Sequence, residues 1–283
     1  MDRVALFINI HRANASVLAE EISQKLIDLG VEVLFERDFD SSLLDSCSLA
    51  FSLGGDGTVL LTARTVASRN IPIFPINIGT LGFLAVVHPG EWLQVYDQWR
   101  QGLVPVSRRL MLESRVERQG KLINHAVCLN DVVISASGIA KIIRLHVSDA
   151  QMLLGNYQSH GLIVATPTGS TAHSVAAGGP ILDPEIEAMI INPICPFTLS
   201  NRPVVVPSKE TIIVEVEEEQ RSGVLLTVDG QETEELAPGD RILINRAPYD
   251  AQLIASDRQV FYNALRTKLN WSGNIPGSGV THA

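Results

Sequence analysis

Residues 48–68 read SLAFSLGGDGTVLLTARTVAS. Ser48 to Leu53 is an apolar run of strand length, Gly54 and Gly55 end it, and Val59 to Ser68 places apolar residues at helical spacing. A buried strand feeding a helix across two glycines is the unit of a parallel α/β layer. The flanking sequence repeats that unit. Val4 to Ile10 predicts a strand, and Asn14-Ala15-Ser16 a cap for a helix running to about Leu29. The apolar positions of that helix, Val17, Leu18, Ile22, Leu26 and Ile27, recur at helical spacing, and Gly30 stops it. Val31 to Phe35 and Ile71 to Ile76 supply two more strands. Residues 1–104 are therefore expected to form an α/β domain with a parallel sheet. From 105 to 257 the pattern becomes short alternating strands, at Met111 to Arg118, Val127 to Ser135, Ile142 to Ser148, Ile212 to Glu217, Val224 to Val228 and Ile242 to Asn245. Turns at Asp229-Gly230 and Pro238-Gly239-Asp240 punctuate this all-β domain, which has one helical stretch near Thr171 to Ala177. A helix over 258–270, with Phe261, Leu265 and Leu269 on one face, is expected to pack back on the first domain. The Gly/Ser-rich stretch 271–283 reads as a disordered tail.

Composition narrows the class. The chain has 283 residues, 46% of them hydrophobic, with 22 basic against 31 acidic residues and a net charge of -9. That balance argues against a non-specific nucleic-acid binder, which needs a basic face. No apolar run approaches the roughly 20 residues that span a bilayer. Cys47, Cys128 and Cys195 are odd in number and far apart, so neither a disulfide framework nor a zinc site is expected, and a reducing cytoplasm fits. The glutamates at 215, 217–219, 232, 234 and 235 read as solvated strand faces and turns rather than as a metal trap.

Three segments carry chemistry. Gly54-Gly55-Asp56-Gly57-Thr58 lets backbone N–H groups approach an anion, and the following helix adds its positive end, which suits phosphate. No Lys-Ser/Thr pair follows, so it is not a Walker A loop; no third glycine follows, so it is not a dinucleotide fingerprint. Asp56 would repel phosphate; it can hold magnesium or accept a proton from an attacking hydroxyl. The plainer alternative is a tight turn in which Asp56 bonds locally. The second segment, Asn77-Ile78-Gly79-Thr80-Leu81-Gly82-Phe83-Leu84, follows the fourth strand and would lie against the first at the carboxyl end of the sheet. The third, Gly161 to Ala172, runs from a buried strand into small hydroxyl residues that offer amides without bulk, as a flat base or a ribose diphosphate requires. Asn130-Asp131 interrupts an apolar strand and must bond to itself, to backbone or to a ligand. Asp229-Gly230-Gln231 reads most simply as a hairpin turn.

In order and spacing these segments resemble the NAD kinase family along nearly the whole chain. GGDGT alone is shared with diacylglycerol and sphingosine kinases; TPTGSTA at 166–172 and the Asn-acid pair narrow the match. The resemblance implies an α/β domain, a β-rich domain and a nucleotide site between them. It also implies transfer of the ATP γ-phosphoryl group to the 2'-hydroxyl of the adenosine ribose of NAD, giving NADP, with a divalent metal, Mg2+, and with ATP or polyphosphate as donor. By resemblance Asp56 is the proton acceptor, Gly57 and Thr58 line the phosphates, and Gly54, Gly55 and Asn77 also bind substrate or nucleotide. Asn130 and Asp131 hold the dinucleotide, Thr171, Ala172, His173, Ser174, Val175 and Ala176 close over its adenine half, and Gln231 approaches from the hairpin. Lys141 falls where the family often carries a ligand-facing basic residue. Family members are usually homodimers or homotetramers.

Some positions depart from the family pattern. His160 stands where relatives have Asp, His173 where they have Tyr, and Phe197 where they have His. Leu61 and Gln158 replace basic residues. An imidazole donates as well as accepts, so His160 either alters dinucleotide preference or affinity without abolishing catalysis, or, as the plainer reading has it, simply replaces one hydrogen bond by another. A lipid kinase and a non-catalytic NAD sensor are the alternatives. The first should show a basic or apolar membrane face, and the second should lack Asp56. A Rossmann oxidoreductase fits poorly, because the fingerprint glycines and the acid about 20 residues downstream are not in place in this chain.

Overall fold

The computed structural model describes residues 2–36, 41–79, 82–138, 141–198 and 200–269. Four parallel strands, Glu32–Phe35, Arg3–Ile8, Leu49–Gly54 and Ile73–Asn77, lie side by side in that order. Helix α1, Ala13–Asp28, and helix α2, Asp56–Val66, connect them, so the expected α/β layer is present. Both glycine-bearing loops leave the carboxyl ends of neighbouring central strands, and the amide of Ile78 donates to the carbonyl of Gly54 at 2.7 Å.

Helix boundaries and faces differ from the sequence reading. Arg12, not Asn14 or Ser16, is the N-cap of α1, and it caps without a side-chain hydrogen bond. The buried stripe is Ala15, Ala19, Ile22 and Leu26, whereas Val17 is 68% and Ile27 53% exposed. Alanine lets the helix approach the sheet closely, so two of the bulky residues point outward. Helix α2 starts at Asp56, three residues before the apolar pattern begins, so the GDGT turn is itself the first helical turn. A further helix α3, Trp92–Arg100, follows directly on a 3-10 turn at Pro89–Glu91 and was not foreseen in the sequence. It is held by aromatic packing: Trp92 and Tyr96 meet Phe51 with ring centroids 6.2 and 5.9 Å apart.

The β-rich half is built on two sheets. A six-stranded antiparallel sheet runs Val204–Pro207, Ala188–Ile194, Gly161–Ala165, Asp131–Ala136, Val224–Val228, Glu232–Leu236. The other sheet continues the parallel one. Strand Arg241–Ile254, foreseen only at 242–245, pairs Leu253 with Ile73 in parallel and pairs antiparallel with Val106–Arg118 and Ile212–Val216. Its register shifts between Arg246 and Asp250, which lets one strand serve both halves. The run Val127 to Ser135 is two strands, Lys121–Cys128 and Asp131–Ala136, belonging to different sheets. The helical stretch near 171–177 is a single turn, α4, His173–Ala176, after a 3-10 turn at Gly169–Thr171.

Helix α5, Arg258–Leu269, buries Phe261, Ala264 and Leu265, while Leu269 is 41% exposed. Phe261 reaches Phe83 of the second glycine loop, with centroids 6.2 Å apart. The tail 271–283 lies outside the described residues. Among the described residues no helix is long and apolar enough to cross a membrane.

The two readings of α1 separate experimentally. Leu26→Ala removes a fully buried side chain and should cost about 2–5 kcal/mol in urea unfolding. Ile27→Ala should stay within about 0.5 kcal/mol. Equal losses would contradict this packing.

Candidate active site

The Asp56 carboxylate accepts three consecutive backbone amides across the cleft wall. Oδ2 takes the N–H of Phe83 at 2.8 Å, and Oδ1 takes those of Leu84 and Ala85 at 3.0 Å each. Asp56 therefore bonds not locally but to the loop that follows the neighbouring strand. Gly82 is required beside it, because a Cβ there would overlap the carboxylate. In α2's first turn the amide of Thr58 donates to the carbonyl of Gly55 at 3.0 Å, and the amides before it, with the dipole, offer an anion seat. Asp56, Gly55, Gly57, Thr58, Asn77 and Gln231 line one cleft of about 920 Å³. Among the described residues Asn77 Oδ1, in that cleft, is buried without a hydrogen-bond partner. Gly54 lies beneath, packed on Thr58.

A second carboxylate repeats the device. Asp229, 7% exposed, accepts the amides of Leu129 at 3.1 Å, Asn130 at 2.7 Å and Asp131 at 3.2 Å. This is why the strand breaks at 129–130: the amides turn to a side chain instead of a neighbouring strand. Asp229 and Gly230 both hold left-handed backbone, φ 51 and 66, as a tight hairpin requires. Arg64 of α2 stands 3.5 Å from Asp229 and 3.3 Å from Glu232. A second cavity of about 350 Å³ is lined by Asn130, Asp131, Ala172, His173, Asp229 and Gly230 among others. Burial and then the Asp229 charge push the Asp131 carboxyl up to about 7, against the backbone N–H of His173, which lowers it. Burial raises Asp229 too, although the three amides and Arg64 oppose the shift.

Gly230 lines the smaller cavity and Gln231 the larger, so the hairpin tip is the wall between them. The side chain of Gln231 donates to the carbonyl of Gly57 at 2.8 Å, on the phosphate side of that wall.

The hydroxyl-rich segment is mostly turned inward. Thr166 bonds the carbonyl of Leu129 at 2.6 Å and Ser170 that of Pro167 at 2.6 Å. Ser174 is fully buried and accepts from Asn192 at 3.2 Å. Thr171 bonds the carbonyl of Thr168 at 3.2 Å. Ala172 and exposed His173 face the smaller cavity, Val175 faces a third one beside Phe261, and Ala176 is exposed. Lys141 is exposed and His160 half-buried, and neither lines the first two cavities. Residues 80 and 81 of the glycine loop lie outside the described residues. Asp229 and Arg64 carried no distinguishing signal in the sequence, since an Asp-Gly pair reads as a turn and an arginine in a helix as surface.

The fold and this pair of cavities are those of a nucleotide phosphotransferase with GGDGT at a helix start. Models of the ATP-NAD kinase N-terminal domain and C-terminal domain match residues 36–103 and 129–256. An NAD kinase of Treponema denticola is 40% identical over 97% of this chain and 98% of its own. One of Treponema pallidum is 38% identical over 96% and 91%. The chain belongs to the NAD kinase family. Among solved structures, yeast NADH kinase complexed with NADH superposes with a TM-score of 0.88 over 97% of this chain and 89% of that one, at 21% identity, a likeness of fold. An NAD kinase of Archaeoglobus fulgidus in complex with ATP gives 0.71 over 93% and 96%, at 25% identity.

Gly82→Ala should break the three-amide clamp by displacing the Asp56 carboxylate, with the aspartate itself retained. A lower Tm and lower turnover are expected, and an unchanged Tm would contradict the clamp. Asp131 binds its proton more tightly folded than unfolded. Its contribution to stability is therefore complete below the ordinary value of 3.8 and is lost as pH rises to about 7. Asp131→Asn should flatten the fall of Tm across that window; parallel profiles for variant and wild type would count against the assignment.

Proposed function

We propose that this chain transfers the γ-phosphoryl group of ATP to the 2'-hydroxyl of the adenosine ribose of NAD, releasing NADP and ADP. The observation that carries the reading is the placement of Asp56, at the first turn of α2, in a phosphate-sized cleft separated from the Asn130-Asp131 cavity by one hairpin tip. The division into residues 1–104 and 105–257, with α5 returning to the first part, is proposed with it. Family membership supplies the reaction, and the geometry supplies a way to run it. The dinucleotide lies on Asn130 and Asp131 with Ala172 and His173 against its adenine half. The donor phosphates lie against the first turn of α2, at Gly57 and Thr58.

Asp56 is the proton acceptor. A carboxylate offers about four acceptor positions. Three are occupied by amides, Oδ1 taking two and Oδ2 one, so the free position is on Oδ2. The amides fix the carboxylate's orientation, and phosphoryl transfer depends chiefly on such positioning and on charge neutralisation. Among the described residues no three His, Cys, Asp or Glu side chains converge as a metal cage. Asp56 and Glu36 line the cleft, and that donor set fits Mg2+, which takes one or two carboxylates and completes its shell with phosphate oxygens and water. When bound, the ion neutralises charge on the β- and γ-phosphates. Assembly into a homodimer or homotetramer, a cytoplasmic setting and use of polyphosphate are further parts of the proposal, supported by the family.

Purified protein given NAD, ATP and magnesium should form NADP. Asp56→Asn should lower turnover by about 10²–10⁴-fold, the usual worth of a general base. NAD binding should persist, because the smaller cavity is built by other residues. Near-normal turnover in the variant would refute the role of Asp56.

A further inference from the structure

The cleft that contains Asp56 is completed by residues from the two ends of the chain, and neither belongs to a motif read in the sequence. Arg12 comes from the turn between strand Arg3–Ile8 and α1, and Lys268 from the last turn of α5; both line the cleft. Arg12 is anchored, since Nη1 donates to the carbonyl of Ile78. The positive φ of Gly79, 132°, and its missing Cβ make room for that guanidinium. A guanidinium has five N–H donors, so one bond to Ile78 leaves others for a ligand.

Lys268 is placed differently. Its Nζ lies 4.9 Å from the centroid of the Phe83 ring, where the face of the ring attracts a cation. Phe83 also packs on Phe261 of α5, and its own amide is one of the three that Asp56 accepts. The ammonium is thus linked to the carboxylate through a single residue. Among the described residues neither Arg12 nor Lys268 forms an ion pair with a carboxylate, although Glu36 and Asp56 line the same cleft. Two cations with no carboxylate partner among the described residues, beside a helix N-terminus, suit a ligand with several negative charges in succession.

We infer that Arg12 and Lys268 clamp the phosphate chain of the phosphoryl donor, and that Lys268 neutralises charge on the group being transferred. This rests on the proposed activity. In that reaction the ribose 2'-oxygen forms a bond to the γ-phosphorus. The bond from the γ-phosphorus to the bridging oxygen breaks, and its electron pair leaves with ADP. The hydroxyl proton goes to Asp56. Negative charge builds on the bridging and equatorial oxygens as this happens, and a fixed cation there is worth more in the transition state than in the ground state. If Lys268 served only to cover Phe83, a glutamine or methionine stem would do so equally well.

The test compares wild type with Lys268→Gln, Lys268→Arg and Arg12→Gln in the full chain, with matched circular dichroism. It measures kcat, KM for ATP and for NAD, and calorimetric binding of inorganic tripolyphosphate at fixed ionic strength. Lys268→Gln should lower kcat by about 10²-fold, the usual effect of losing one charge-stabilising donor, while KM for NAD stays unchanged. Lys268→Arg should recover most of that loss. Tripolyphosphate binding should weaken in both glutamine variants. An active wild type with an equally active Lys268→Gln would overturn the inference. If wild type makes no NADP, the proposed activity fails, and tripolyphosphate binding still decides the clamp. Equal binding by wild type and both glutamine variants would overturn it.

Discussion

Two carboxylates, Asp56 half-buried and Asp229 buried, each accept three successive backbone amides and hold this site in shape. Asp56 gathers the amides of 83–85 and Asp229 those of 129–131. Buried amides must find acceptors, and a carboxylate gives a stronger bond than a carbonyl. Each aspartate therefore substitutes for a strand or helix partner exactly where regular structure ends. The first defines the wall of the phosphate cleft, and the second opens the strand that presents Asn130 and Asp131. Removing either would leave three donors to find new partners together, so the loops are fixed as units.

The same contacts join the two halves of the molecule. Helix α2 begins in the α/β layer, yet Gly57 accepts from Gln231 and Arg64 stands beside Asp229, both on the hairpin of the six-stranded sheet. Strand Arg241–Ile254 carries one sheet across from the parallel strands to the antiparallel ones. The two cavities are thus built on elements that cannot shift independently without breaking these bonds. For a reaction whose rate depends on holding two nucleotides in line, that rigidity is the main contribution a protein can make.

Much of this was legible in the sequence. The strand–glycine–helix unit at 48–68 indicated the layer type, and GGDGT marked a loop that lines the larger cleft, because glycine pairs and apolar periodicity are local signals. What escaped was non-local. Helix α3 is held by aromatic rings from two strands rather than by its own caps. The burial of Ala15 and Ala19 in place of Val17 and Ile27 is decided by how closely α1 meets the sheet. The inward turn of Ser170 and Ser174 depends on partners twelve and eighteen residues away. Asp229 looked like half of a hairpin turn, and its hundred-residue reach to Leu129 leaves no trace in spacing. Arg12 and Lys268 sit at opposite ends of the chain, and only the folded sheet brings them to one cleft.

The most direct test of the account is the position of the new phosphate. Phosphorus NMR of a reaction holding this chain, NAD, ATP and magnesium should show one new phosphomonoester coupled to the adenosine H2', with ADP formed in equal amount. A phosphate attached elsewhere on the dinucleotide, or ATP consumed only to free phosphate, would contradict it.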